Sequence, residues 1–128
     1  MSQRFLVVDD SRTVRIQIRR TLQMAGYDTD GVVEAANGIE ALAALGVGRF
    51  DALLTDIHMP AMDGVELVRR VRAHPPLAGL PILVISSEST EERRSQLRSL
   101  GADSVLAKPF TPESIKAVLA DLLAPRTP

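Results

Sequence analysis

Side chains suited to metal and phosphoryl chemistry stand just past short apolar runs: Asp9 and Asp10 after Arg4-Phe-Leu-Val-Val8, Asp56 after Ala52-Leu-Leu-Thr55, and Lys108 after Ser104-Val-Leu-Ala107. In an open parallel α/β sheet, ligands gather beyond the carboxyl ends of the strands, so residues ending separate runs meet in one crevice. Carboxylates supply the oxygen donors that Mg2+ prefers, and crowding three of them carries an electrostatic cost that a divalent cation relieves. A carboxylate can also attack a phosphoryl group to give an aspartyl phosphate. That group needs countercharge, and the metal on one side with Lys108 on the other would supply it. Ser86, at the end of a further apolar run, offers a hydroxyl to a phosphoryl oxygen. Singly, these residues have plainer readings: Asp10 or Ser11 as a helix cap, Asp56 in a strand-end turn, Lys108 as a solvated cation. Their joint placement favours the chemical reading.

The elements that must position them follow from periodicity. Short β-branched runs alternate with longer stretches of helical period, the pattern of βαβ units around a parallel sheet. The predicted strands run Arg4 to Val8, Gly31 to Glu34, Ala52 to Thr55, Ile82 to Ile85 and Val105 to Ala107. The predicted helices run Arg12 to Ala25, on Val14, Ile18 and Leu22; Ile39 to Leu45, on Ile39 and Leu42; and Val65 to Ala73, ringed by Val65, Val68 and Arg72. A fourth, Thr90 to Leu100, is mostly polar and should be loosely held by Leu97 and Leu100, with Ser89 or Thr90 as its cap. Thr111-Pro112-Glu113 opens the last, which buries Ile115, Val118, Leu119 and Leu122. Gly26, Pro75-Pro76 and Gly101 supply stops.

A chain of 128 residues, 45% of them hydrophobic, fits one domain, expected over residues 1–124 with a short tail at 125–128. The absence of cysteine removes disulfides, thiolate metal sites and thiol nucleophiles, and fits the cytoplasm. The first apolar run is too short for a signal peptide or a membrane span. A net charge of −1 provides no field to attract nucleic acid or an anionic membrane, and 3% aromatics without tryptophan provide no stacking platform. Neither nucleic acid nor membrane is expected as a partner.

Val7-Val-Asp9-Asp10-Ser-Arg12, Asp56-Ile-His-Met-Pro60 with Met62-Asp-Gly64, Ser86, and Lys108-Pro109 together resemble the receiver domain of two-component response regulators, from Arg4 to about Leu123. With no output domain appended, the chain is similar to single-domain, CheY-like chemotaxis regulators. The resemblance implies a flavodoxin-like, doubly wound (βα)5 fold with a five-stranded parallel sheet in the order 2-1-3-4-5. It implies that Asp56 is the phosphoacceptor and that Asp9, Asp10, Asp56 and the His58 backbone carbonyl hold Mg2+. It further implies that Lys108 pairs with the phosphoryl group before a cis Pro109, and that Ser86 moves towards a phosphoryl oxygen on activation. Such a protein is a phosphoacceptor with metal-assisted self-phosphorylation and dephosphorylation, not an enzyme in the ordinary sense. Its donor is a phosphohistidine on a sensor histidine kinase or phosphotransfer protein, in chemotaxis-like or phosphorelay signalling.

Departures from the family pattern bear on output. Val105 stands where the family usually carries Tyr or Phe, so an aromatic rotamer switch is absent, and Ser86 replaces the commoner, stiffer Thr. His58, with Glu88 two residues after Ser86, is a candidate gate for attacking water, with a pH-dependent lifetime as one consequence and a plain loop histidine as the other reading. The Thr90–Leu100 helix is the candidate two-state element, and with the Ser104–Leu122 face it forms the expected surface for a downstream protein, with a monomer or weak homodimer as the state. Arg93, Arg94 and Arg98, and Arg12, Arg15 and Arg19, read either as solvated stripes or as docking surfaces for an acidic partner helix. The competing function is a receiver-like interaction module that works without phosphorylation.

Overall fold

The computed structural model describes residues 3–124; the tail expected at 125–128 lies outside the described residues. Five strands, β1 (Phe5–Val8), β2 (Val33–Ala35), β3 (Ala52–Thr55), β4 (Ile82–Ser86) and β5 (Ser104–Ala107), alternate with five helices. These are α1 (Arg12–Met24), α2 (Gly38–Val47), α3 (Gly64–Ala73), α4 (Glu91–Leu100) and α5 (Pro112–Leu122), with a 3-10 turn at Pro75–Leu77 before β4. The strands pair in parallel in the order β2-β1-β3-β4-β5, as the resemblance implied.

β1, β3 and β4 are buried along their whole length, because helices cover both faces of a parallel sheet. Alternation along the strands divides the core. Leu6, Val8, Leu53, Ile82 and Val84 pack with Leu45, Leu67, Val71 and Leu97 beneath α2, α3 and α4. Phe5, Val7, Leu54, Leu83 and Ile85 pack with Ile18, Leu22, Ile115 and Leu119 beneath α1 and α5. Among the described residues no helix is long and apolar enough to cross a membrane.

Several sequence expectations shift by a residue or two. The second strand begins at Val33 rather than Gly31, because a turn closed by Val32 N–H to Thr29 O (3.2 Å) occupies the preceding residues. α2 starts at Gly38, capped by the Asn37 side chain on Glu40 N–H, and Ile39, expected in the core, is 55% exposed; Ala41 and Leu45 are buried instead. On α3 the buried face is Leu67, Val68 and Val71, while Arg72 reaches out to Gly101 O (2.9 Å), Leu80 O (2.6 Å) and Asp103 (2.9 Å). α1 stops at Met24, with Ala25 as its C-cap, and Ser86 belongs to β4. Ser11 caps α1 and Thr90 caps α4. Thr111 caps α5, where Ser114 completes the capping box.

One glycine positions the site. A Cβ on Gly64 would collide with the Asp56 carbonyl oxygen and lie 2.9 Å from Ile57 Cα, so only glycine lets the start of α3 pass against the end of β3. Gly64 N–H donates to Ile57 O at 2.7 Å across that contact. Gly64→Ala is expected to destabilise the fold by about 1–3 kcal/mol, the usual cost of overpacking. Gly79→Ala, where a Cβ meets nothing within 4 Å, should change stability by less than about 0.5 kcal/mol. Urea midpoints of the two variants against the parent check the contrast.

Candidate functional site

β1, β3, β4 and β5 end along one edge of the sheet, and the candidate side chains lie at those ends or in the loops that follow. Asp9 continues β1 through its N–H to Ala35 O (3.1 Å), and Asp56 continues β3 through its N–H to Val8 O (2.9 Å), which fixes the two backbones side by side. Asp9 is 1% exposed. Its Oδ1 accepts from Ser11 N–H at 2.9 Å and its Oδ2 from Lys108 Nζ at 3.1 Å. Asp56 Oδ1 accepts from Ile57 N–H at 2.7 Å, and Oδ2 from Lys108 Nζ at 3.3 Å. Asp10 is exposed at the rim, and one oxygen from each of Asp9, Asp10 and Asp56 lies within 4.8 Å of the others.

That donor set fits Mg2+: all the donors are oxygens, and the open rim beside Asp10 leaves room for the waters this ion retains. Burial pushes the Asp56 carboxyl above its ordinary value, and neighbouring Asp9 adds to this; the Ile57 amide and Lys108 oppose it without cancelling it. Lys108 is held by its own N–H to Ser86 O (3.0 Å), and the Lys108–Pro109 peptide is cis. Thr55, in the sequence only the end of an apolar run, and Gly64, in the sequence only part of a motif, brace Asp56: Thr55 Oγ1 donates to Asp56 O at 2.8 Å, and Gly64 packs against that same oxygen. A buried threonine ending an otherwise aliphatic run was the available signal for the first.

Ser86 is fully buried, and its Oγ accepts the Glu88 N–H at 3.0 Å. Glu88 in turn bridges two elements. Its Oε2 lies 2.7 Å from His58 Nε2 and its Oε1 accepts from Arg93 Nε at 2.9 Å. The Arg93 hydrogen bond first, and His58 second, hold the Glu88 carboxyl below the ordinary range. Val105 is buried, and Arg94 comes across from α4 to donate to Val105 O (2.9 Å) and Ser89 O (3.2 Å). The basic stripes are thus partly committed within the fold: Arg93 and Arg94 turn to the β4–α4 loop and β5, and Arg15 and Arg19 to Glu34. Arg12 and Arg98 stay exposed.

The raised Asp56 carboxyl has a sign in stability. Its folded state binds a proton more tightly than the unfolded chain does, so its contribution is most favourable below about pH 3.8, the ordinary value, and is lost as pH rises through the higher folded value. In chelator, Asp56→Asn is expected to melt above the parent at pH 7, because the asparagine carries no charge to desolvate. The gap should close towards pH 3.5. Calorimetric melts across that range decide it, and a parent as stable as the variant at pH 7 contradicts the assignment.

The sequence matches the family model described as response regulator receiver domain over residues 5–120. It is 41% identical over 123 residues to the response regulator MprA of Mycobacterium bovis, covering 96% of this chain and 51% of that protein. The chain thus spans about half the length of that relative. It is 38% identical over 121 residues to a chemotaxis protein CheY homolog of Campylobacter jejuni, covering 94% of this chain and 92% of that one. The chemotaxis response regulator CheY4 of Vibrio cholerae superposes with a TM-score of 0.86 at 38% identity, over 96% of this chain and 100% of that one. The receiver domain of a sensor histidine kinase from Pseudomonas aeruginosa, with a magnesium ion coordinated in its active site cleft, gives 0.84 at 28% identity, over 96% and 98%. With the strand order, the acidic cluster and its lysine already in place, these likenesses establish that the chain belongs to the receiver-domain family of two-component response regulators.

Proposed function

We propose that residues 1–124 form a receiver that accepts a phosphoryl group on Asp56 from a phosphohistidine of a sensor histidine kinase or phosphotransfer protein, and then switches a protein-binding surface. The observation that carries this reading is the convergence of Asp9 and Asp56 on Lys108, at 3.1 and 3.3 Å, beside the exposed Asp10. Asp9, Asp10, Asp56 and the His58 backbone carbonyl would hold Mg2+. When bound, this ion supplies countercharge to the phosphoryl oxygens. An Asp56 carboxylate oxygen forms the bond to phosphorus while the P–N bond of the donor breaks, its electron pair staying on the imidazole. Lys108 lies against the side of Asp56 where the new charge arrives, and the Ile57 N–H holds the other carboxylate oxygen in place.

In this reading Ser86 and Lys108 would meet the phosphoryl oxygens, and His58 and Glu88 would tune access from the rim. The added group brings about −1.5 to −2 charges to the strand ends. α4 is the element nearest to respond: Leu97 is its one fully buried apolar anchor among the described residues, and polar ties to the β4–α4 loop and β5 supply much of the rest. The downstream partner is a protein that docks on α4 and the β5–α5 face, in cytoplasmic chemotaxis-like or phosphorelay signalling, with the receiver a monomer or weak homodimer. The alternative of an interaction module that never takes phosphate leaves the acid and lysine cluster without a use.

Incubation with Mg2+ and acetyl phosphate should add one phosphoryl increment to the intact mass, absent in Asp56→Asn and in chelator. A Lys108→Ala variant should load about 100-fold more slowly, the scale on which a charge-stabilising donor acts. An increment that survives in Asp56→Asn would refute the acceptor assignment. Separately, Asp10→Asn should weaken Mg2+ binding by about ten- to a hundredfold in titration calorimetry, and unaltered affinity would remove Asp10 from the metal set.

A further inference from the structure

The β3–α3 loop, which follows Asp56, and the β4–α4 loop, which follows Ser86, flank the acidic pocket and are joined by one chain of polar contacts. His58 Nε2 lies 2.7 Å from Glu88 Oε2, Glu88 Oε1 accepts from Arg93 Nε at 2.9 Å, and Arg93 Nη1 donates to Gln96 Oε1 at 2.8 Å. The Arg93 backbone is fixed as well, its N–H donating to Thr90 Oγ1 at 3.2 Å. Side-chain exposure falls along the chain from 63% at His58 to 37% at Glu88 and 21% at Arg93, so the anchored end is on α4 and the free end is at the pocket rim. An isolated ion pair at such exposure holds little. Here both Glu88 oxygens are used, each in a short contact, and the guanidinium is gripped on two sides, which makes a network rather than a pair.

We propose that Arg93 is a positioning residue for hydrolysis of the Asp56 acyl phosphate: through Glu88 it holds His58 across the gap between the two loops and limits the approach of water. The inference rests on Asp56 being phosphorylated as proposed above. In that hydrolysis the water oxygen bonds to phosphorus, and the bond from phosphorus to the Asp56 oxygen breaks with its electron pair returning to the carboxylate. Phosphate leaves as the dihydrogen anion with both water protons, one of which passes to solvent. Attack in line with the breaking bond comes from beyond the strand ends, between the loops that the bridge joins. A residue on α4, outside contact with the reacting atoms, therefore sets the lifetime of the modified state.

The parent, Arg93→Ala, Arg93→Lys, Glu88→Gln and the double variant Glu88→Gln/Arg93→Ala are loaded with acetyl phosphate and Mg2+, freed of donor by rapid desalting, and followed by intact mass, with melts to confirm folding. Arg98→Ala removes the same charge from the exposed side of α4 and serves as control. Arg93→Ala should speed decay about three- to tenfold, the range expected when ionic hydrogen bonds at a rim are lost. Arg93→Lys should recover part of the parent lifetime, Arg98→Ala should match the parent, and Arg93→Ala should add nothing once Glu88 is Gln. Equal decay of the parent and Arg93→Ala overturns the inference, as does an effect that Arg98→Ala reproduces or that persists beside Glu88→Gln. Failure of the parent to load at all would instead strike down the phosphoacceptor reading beneath it.

Discussion

Three carboxylates within 4.8 Å of one another repel, and the structure tolerates them because Lys108 stands between two of them. The burden falls on Asp9, almost wholly withdrawn from solvent, since a buried charge is costly unless paired and hydrogen-bonded. Asp9 has both remedies: the Ser11 amide on one oxygen and the lysine on the other. Asp56 shares the lysine and has the Ile57 amide, yet its carboxyl is still pushed up by burial. The cluster is therefore held short of neutrality, the condition under which a hard cation or a phosphoryl group finds use.

Much of the rest serves that placement. Parallel pairing of β1 with β3 in register, Val8 opposite Thr55, sets the Asp9 and Asp56 backbones side by side. β5 enters at the far edge of β4, and Lys108, following β5, spans back to both acids. A sheet buried on both faces cannot slip register without moving every core side chain, so the separations inherit the rigidity of the core. Gly64 adds a local condition, because α3 must pass within contact of the Asp56 carbonyl for the β3–α3 loop to close.

Asp9, Asp10, Asp56, Ser86 and Lys108 were legible in the sequence because each ends a continuous apolar run, and a strand with two buried faces announces its own end. The second strand and α2 were less so. Gly31 and Val32 look like strand but serve a turn, and α2 is so rich in alanine that its sequence points to Ile39 for the core, where Ala41 and Leu45 suffice. The roles of Arg93 and Arg94 were hidden for a different reason. On a polar helix a basic residue reads as solvated, and nothing local says that its partner, Glu88 or the Val105 carbonyl, waits in another element. Contacts between distant parts of the chain, made by long side chains, leave no period to detect.

Ser86 Oγ accepts the Glu88 N–H, which occupies a lone pair and leaves the hydroxyl hydrogen free to point elsewhere. A hydroxyl can give and receive at once, so reaching for a new oxygen need not sever the old bond. If the side chain turns, the Glu88 amide is drawn along, and with it a carboxylate tied to both His58 and Arg93. The serine hydroxyl is thus tied through one amide to the loop and, through the Glu88 carboxylate, to a turn of α4.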